Sequence, residues 1–181
     1  MFTKRSRFFF PMMVLASFLG LSAEGLAPLS LVPSVDPLRY AGRWYEIARF
    51  QQVFEKDLVA VTAEYAIRKD GRIDVKNSGF KKSFEGKYTE ARAVAWIPDK
   101  AVPAALKVQF FWPFSADYLI FGLDEQDYSW ALVGDNSRKY LWFLSRKPSL
   151  DQTTYDKMVA IAESQGYDLS KLYVVPQKER D

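Results

Sequence analysis

The sequence predicts an all-β fold: an eight-stranded antiparallel up-and-down barrel with one C-terminal helix packed outside it and a short ninth strand. Three observations lead to this prediction. Eight short apolar or alternating runs follow one another from Gly42 onward, turn residues separate them, and a run with helical spacing comes only after the eighth. Consecutive strands joined by short turns form a meander, and a meander removes its two edge strands by closing into a barrel.

The runs end at residues that favour turns. Lys69-Asp70-Gly71 separates the second run from the third, and an Asp-Gly step is a strong hairpin signal. Proline or a cluster of polar residues ends most of the later runs. The predicted strands cover residues 43–51, 58–68, 72–77, 87–97, 104–112, 116–123, 128–133 and 139–146.

After the eighth run the pattern becomes that of one amphipathic helix. Ser149 and Gln152 have the spacing of a capping box, and Gly166 is suited to end the helix. An apolar face recurs at helical spacing at Tyr155, Met158, Val159 and Ala162. Residues 172–175 are apolar and predict the ninth strand.

The composition excludes several classes of protein. The chain has no Cys and no His, which removes thiolate and histidine metal sites, cysteine nucleophiles and a histidine base for a serine. The 25 basic residues exceed the 22 acidic ones by three, and Lys4, Arg5 and Arg7 account for that excess. The rest of the chain is neutral, so no nucleic-acid partner is expected. No metal and no cofactor are expected either.

The N-terminus predicts a secretory signal peptide over residues 1–23. Its basic start is followed by an apolar run at 8–21 that is shorter than the ~20 residues needed to span a bilayer. An uncleaved membrane anchor is the alternative. Residues 24–34 predict a flexible spacer, 35–176 the barrel domain and 177–181 a polar tail.

The run Gly42-Arg43-Trp44-Tyr45 resembles the glycine-x-tryptophan signature of the lipocalins, in the form seen in bacterial lipocalins and apolipoprotein D. Phe54-Glu55-Lys56 and residues 61–65 and 104–114 are similar to the bacterial group. Residues 123–128 match the second lipocalin motif weakly, and residues 140–146 match the third. The resemblance covers residues 35–176 and implies the same barrel, with Arg146 lying across Trp44 as a structural pair.

Alternation along the strands then predicts which side chains face the cavity. Trp44, Glu46, Ala48 and Phe50 share one side, where Glu46 requires either an arginine partner or a bulge. For residues 87–97 either the alanines 91, 93 and 95 or the set 92, 94 and 96 faces inward. The predicted ligand-binding residues are Ala63, Tyr65, Val75, Asn77, Leu106, Val108, Phe110, Tyr118, Ile120, Ala131, Tyr140 and Trp142.

The resemblance implies a binding protein and not an enzyme. Its expected ligand is a fatty acid or lysophospholipid, stored or transported for maintenance of the cell envelope. A lipid-modifying enzyme and a protein-interaction module acting through the barrel mouth are the alternatives. An exposed aromatic rim of Phe111, Trp112 and Phe114 is compatible with membrane-surface contact, and the family analogy allows a homodimer.

The same resemblance concerns location. Many bacterial lipocalins carry a lipid-modified cysteine after the leader, and this chain has none. We therefore expect an exported protein that is periplasmic or envelope-associated and soluble after cleavage, with outer-membrane association as the alternative.

Overall fold

The computed structural model describes residues 26–180, so the predicted signal peptide lies outside the described residues. The two helices are α1 (Pro37–Tyr40) and α2 (Gln152–Ser164), and short 3-10 turns cover Val53–Glu55 and Leu169–Lys171. The strands are β1 Gly42–Phe50, β2 Leu58–Ile67, β3 Ile73–Lys81, β4 Tyr88–Trp96, β5 Ala105–Phe111, β6 Phe114–Leu123, β7 Trp130–Gly134, β8 Leu141–Ser145 and β9 Leu172–Val174.

The strands form the predicted closed barrel. Each strand from β2 to β7 pairs in antiparallel fashion with the next strand along the chain, β8 pairs with β1, and β1 pairs with β2 to close the ring. The ninth strand adds to β1 on the outside of this ring. One end of the barrel carries α1 and the loops 68–72, 97–104 and 124–129, and we call it the closed end. The other end carries the loops 51–57, 82–87, 112–113 and 135–140, and we call it the mouth.

Buried apolar side chains form two layers. The inner layer fills the closed end of the barrel and includes Trp44, Ile120 and Leu144. The outer layer lies between the barrel wall and α2, where Met158 and Ala162 are fully buried. The helix therefore packs outside the barrel, as expected.

The helix ends differ in how well the sequence predicted them. Asp151, not Ser149, is the N-cap, because its Oδ1 accepts the Thr154 N–H at 2.9 Å. The capping-box prediction was therefore wrong. Gly166 has φ +85° and follows the helix as predicted, with the Tyr167 N–H bonded to the Ala162 carbonyl in a Schellman arrangement.

Simple alternation fails on β1. The pairing between β1 and β8 shifts register between Glu46 and Ala48, so a β-bulge lies there. Ala48 and Phe50 consequently belong to the outer layer, and the prediction that they share the side of Trp44 was wrong. On β4 the structure resolves the open choice, because Ala93 and Ala95 are buried in the inner layer whereas Arg92 is exposed.

The bulge also splits β1 from β2 toward the mouth. The two strands pair only from Gly42 to Tyr45, after which β1 pairs with β9. The tail bridges the split from outside, since Gln177 Nε2 donates to the carbonyls of Glu46 at 2.7 Å and Val61 at 2.9 Å. The described part of the predicted spacer also makes contacts, with Leu29 buried and the Val32 N–H bonded to the Ile120 carbonyl.

Candidate functional site

The closed end is built around Trp44, whose side chain is fully buried. Its Nε1 donates to the Tyr40 carbonyl at 2.8 Å, and the Arg146 guanidinium lies 3.8 Å from the centroid of its ring. Arg146 also donates to the carbonyls of Arg43 and Arg39 at 2.8 and 2.7 Å. Gly42 has φ +94°, a backbone conformation that side-chain-bearing residues rarely adopt, so glycine is suited to this position beside the Arg146 guanidinium.

Three tyrosines, Tyr40, Tyr65 and Tyr118, form the floor above Trp44, and we call them the tyrosine cluster. The Tyr118 hydroxyl lies 2.8 Å from that of Tyr40 and 2.9 Å from that of Tyr65. Burial raises the pKa of all three phenols, so they are neutral. Three hydroxyl protons serve two hydrogen bonds, so one O–H has no partner within the cluster.

Above this floor a cavity of about 190 Å³ opens toward the mouth. Its wall is largely apolar, and its volume is roughly six times the ~30 Å³ that one water occupies in the liquid. Pockets for drug-sized ligands are larger, about 300–1,000 Å³. A second void of about 20 Å³ lies at the closed end. The upper cavity therefore suits one slender chain better than a bulky ring system.

The structure brings most of the predicted ligand-binding residues to this cavity. Leu106 and Ile120 line the small void at the closed end instead, and Ala131 is buried in the inner layer without lining either space. The predicted residues on the cavity wall are Ala63, Tyr65, Val75, Asn77, Val108, Phe110, Tyr118, Tyr140 and Trp142.

The wall also contains residues that were absent from the predicted set. Phe54 and Glu55 lie in the 3-10 turn after β1, where alternation gives no direction. One feature of the sequence indicated their importance: both belong to the run Phe54-Glu55-Lys56, which is similar to the bacterial lipocalins. Ala116 and Asp117 lie at the start of β6, where the pairing with β5 is irregular. Glu46 and Leu144 complete the lining.

Three buried charged residues lie together on the β1 side of the cavity, and we call Glu46, Arg49 and Glu55 the charged triad. Glu46 and Glu55 line the cavity, and Arg49 lies behind them. Arg49 NH1 donates to Glu46 Oε2 at 3.0 Å, and Arg49 Nε lies 3.6 Å from Glu55 Oε2. Burial raises the pKa of the Glu46 carboxyl well above its usual 4.5, and burial raises that of Glu55 as well. Both explanations foreseen for Glu46, an arginine partner and a bulge, are therefore found together.

The mouth carries large apolar side chains exposed to solvent. Phe111, Trp112 and Phe114, which we call the aromatic hairpin, connect β5 to β6, and Trp112 is 85% exposed. Phe54 is exposed on the neighbouring rim. Within residues 26–180 no three side chains form a cluster suited to a metal ion.

Relatives of known sequence match most of the chain. The outer membrane lipoprotein Blc of Escherichia coli K12 is 39% identical over 165 residues, covering 90% of this chain and 92% of that protein. Temperature-induced lipocalin-1 of Arabidopsis thaliana is 38% identical, with 83% and 84% covered. Apolipoprotein D of Macaca fascicularis is 30% identical, with 79% and 77% covered.

Solved structures match the fold at lower sequence identity. Insecticyanin from the tobacco hornworm gives a TM-score of 0.67 at 20% identity, covering 84% of this chain and 86% of that one. Lobster apocrustacyanin A1 gives 0.62 at 18% identity, with 87% and 94% covered. The model of the lipocalin-like domain family matches residues 35–177. With a sealed end, a hollow barrel and these matches, the chain belongs to the lipocalin family.

Proposed function

We propose that the protein binds one fatty acid or lysophospholipid in the cavity and stores or transports it without changing it chemically. The observation that carries this proposal is the apolar cavity of about 190 Å³ inside a barrel closed by Trp44 and open at the mouth. Family membership supports hydrophobic ligand binding and transport at the coarser level.

Burial of an acyl chain supplies the driving force. Each methylene removed from water contributes about 0.8 kcal/mol, so a chain of twelve carbons contributes roughly 9 kcal/mol before other terms. Loss of translational and rotational freedom costs about 4 kcal/mol or more. The remainder for twelve carbons is at most about 5 kcal/mol, a dissociation constant of a few tenths of a millimolar. Each further methylene adds about 0.8 kcal/mol, so chains of about sixteen carbons reach the micromolar range, which allows co-purification and still permits release.

We propose that the protein functions in the cell envelope. The basic and apolar residues 1–23 predict export, and relatives at 38–40% identity are named outer membrane lipoproteins. Among the residues that the structure describes, no helix has the length and apolarity to span a bilayer. Since the chain has no cysteine, we propose a soluble periplasmic form that reaches membranes transiently.

Native mass spectrometry of the mature protein tests ligand binding directly. We expect one co-purifying fatty acid or lysophospholipid for each barrel. Val108→Phe, which adds a ring to the cavity wall, is expected to abolish co-purification. Val102→Phe, on the exposed loop after β4, is the matched control and should retain the lipid. A mature protein that carries no lipid and binds none when offered would contradict the proposal.

The aromatic hairpin favours one additional role, contact with a membrane surface during loading or release. Exposed apolar side chains at the mouth lie where a lipid tail would enter the cavity. An enzymatic role is distinguished by incubating the protein with a bound lysolipid: unchanged lipid after many hours supports a carrier, and accumulating product supports a lipid-modifying enzyme.

A further inference from the structure

The charged triad is a costly feature in the wall of a lipid cavity. Glu46 is 2% exposed, Arg49 is fully buried and Glu55 is 5% exposed. Arg49 has a structural role in closing the barrel at the split between β1 and β2, because its NH2 donates to the carbonyls of Glu55 at 2.7 Å and Leu58 at 3.2 Å. This role accounts for the presence of a buried guanidinium. It does not explain why two carboxyl groups accompany one guanidinium.

The carboxyl groups of the triad and its guanidinium face different surroundings. Glu46 and Glu55 line the cavity, whereas Arg49 does not, and its terminal nitrogens are already bonded to Glu46 and to backbone carbonyls. Asn77, also on the wall, has an Oδ1 with no hydrogen-bond partner among the described residues. This part of the cavity therefore presents carboxyl oxygens and one amide to a ligand. The guanidinium nitrogen that lacks a hydrogen-bond partner, Arg49 Nε, lies 3.6 Å from Glu55 Oε2, and Arg49 is not on the cavity wall.

The charges of the triad show that it lacks one positive charge. Two carboxylates beside one guanidinium leave one buried negative charge, and an unpaired buried charge is strongly unfavourable. Without a ligand the triad avoids this by keeping a proton on a carboxyl group, in agreement with the raised pKa of Glu46. The other titratable groups facing Glu46 are Arg49, Glu55 and the neutral Tyr65. A ligand cation can replace that proton.

Aromatic faces lie beside the same carboxyl groups. Trp142 Nε1 donates to Glu55 Oε2 at 3.3 Å, which fixes the indole next to the triad. Tyr140 stacks on Trp142 with centroids 5.9 Å apart and planes 14° apart. Both rings line the cavity, and an ammonium group is attracted to an aromatic face as well as to a carboxylate.

We propose that the charged triad, with Trp142 and Tyr140, forms a subsite for the ammonium group of a single-chain amphiphile. The inference rests on the proposed function and narrows it: single-chain amphiphiles with an ammonium group at the polar end are preferred over those of equal chain length without one. A fatty-acid carboxylate at the same place would meet two carboxyl groups and no available cation. On binding, the ammonium pairs with Glu46, whose carboxyl proton leaves to solvent.

Calorimetric titration of the delipidated full mature chain with three twelve-carbon probes tests the subsite. Dodecylammonium, dodecanol and dodecanoate share one chain and differ in the charge of the polar end. At pH 7.5 we expect dodecylammonium to bind about tenfold more tightly than dodecanol, with dodecanoate weakest. A parallel pair, lysophosphatidylethanolamine and lysophosphatidylglycerol of equal chain length, shows whether the preference extends to lipid headgroups.

Substitution and pH assign the preference to the triad. Glu46→Gln keeps a hydrogen-bond acceptor for Arg49 but removes the charge, and it should lose the roughly tenfold preference for dodecylammonium. Glu163→Gln, exposed on α2, is the matched control and should keep it. If Glu46→Gln does not fold, Glu55→Gln replaces it. In the wild type, affinity for dodecylammonium should rise from about pH 5 to 8 while affinity for dodecanol stays constant.

The outcomes separate this inference from the proposed function. If none of the three probes binds, hydrophobic ligand binding fails and the subsite falls with it. If dodecanol or dodecanoate binds as tightly as dodecylammonium, the subsite is refuted and the carrier function stands. A pH-independent affinity for dodecylammonium, or a preference that survives in Glu46→Gln, also refutes the subsite.

Discussion

The two ends of the barrel use the same residue types in opposite ways. At the closed end a tryptophan and an arginine stack on each other: Trp44 is fully buried, and the Arg146 guanidinium lies 3.8 Å from its ring centroid. At the mouth Trp112 is 85% exposed and belongs to the aromatic hairpin. Large aromatic groups near the closed end therefore stabilise the fold, and those at the mouth are available for contact with other molecules.

The buried polar groups differ in the same way. At the closed end the Arg146 guanidinium donates to the backbone carbonyls of Arg39, Tyr40 and Arg43. The charged triad nearer the mouth has two carboxyl groups for one guanidinium. The satisfied guanidinium of Arg146 has a structural role, and the unbalanced charge of the triad on the cavity wall marks it as a candidate binding site.

The largest effect is expected for Trp44→Ala. Removing a fully buried indole leaves a cavity at the closed end and costs about 3–5 kcal/mol of unfolding free energy. Loss of the stacking with Arg146 is part of this cost, at about 0.5–2 kcal/mol. Urea unfolding and thermal melts measure it. The ranking of ligands should change little in the fraction that remains folded, and a normal melting temperature would contradict the assignment.

The second prediction concerns pH and the charged triad. Burial raises the pKa of Glu46 in the folded protein above the usual 4.5 of the unfolded chain, so the folded state binds the extra proton. Unfolding free energy of the delipidated protein should therefore fall as pH rises from about 4.5 through the folded pKa. For one proton the slope reaches at most about 1.4 kcal/mol per pH unit.

Urea unfolding at about pH 5, 6, 7 and 8 measures this slope. Glu46→Gln should flatten it, and the exposed Glu163→Gln should leave it as in the wild type. The exposed ion pairs affect the unfolding free energy in a different pH range. The hydrogen bond from Arg68 lowers the pKa of Asp74, so the stability that this pair contributes is lost as pH falls below about 4. Equal slopes in the wild type and Glu46→Gln would show that this carboxyl does not retain a buried proton.

A smaller effect is expected for Tyr118→Phe at the floor of the cavity. The change removes the hydroxyl that bridges Tyr40 and Tyr65, at a cost of about 1–2 kcal/mol. Tyr88→Phe is the matched control toward the mouth, where the exposed hydroxyl bonds to Glu90 and its loss should cost under about 0.5 kcal/mol. If both variants lose equal stability in urea, the tyrosine cluster is no more important than a surface contact.

The sequence predicted those features that depend on a local pattern or on a family motif. The strand order, the outer helix and the pair of Trp44 and Arg146 follow from alternation, turn residues and the family motifs, and the structure has them. On β5 apolar Leu106 and Val108 alternate with polar Lys107. This contrast alone shows which side chains face inward, without knowledge of the neighbouring strands.

The features that the sequence did not predict depend on contacts between elements. The bulge after Glu46 arises where β1 leaves β2 and pairs with β9, so alternation along β1 alone placed Ala48 wrongly. Glu55 reaches the cavity from a 3-10 turn, which has no alternating pattern. Asp151 replaced Ser149 as the cap, although both have suitable side chains, because helix bounds are set by only one or two hydrogen bonds.

The smallest effect on stability is expected for Trp112→Ala, which deletes the same side chain as Trp44→Ala at the opposite end. With 85% of Trp112 exposed, the unfolding free energy should change by less than about 0.5 kcal/mol. If the aromatic hairpin contacts membranes, the same variant should lower sedimentation with phospholipid vesicles and slow lipid transfer between them. A variant that unfolds like Trp44→Ala would mean that the hairpin is part of the core, and unchanged sedimentation would remove the membrane role while leaving the contrast between the two ends intact.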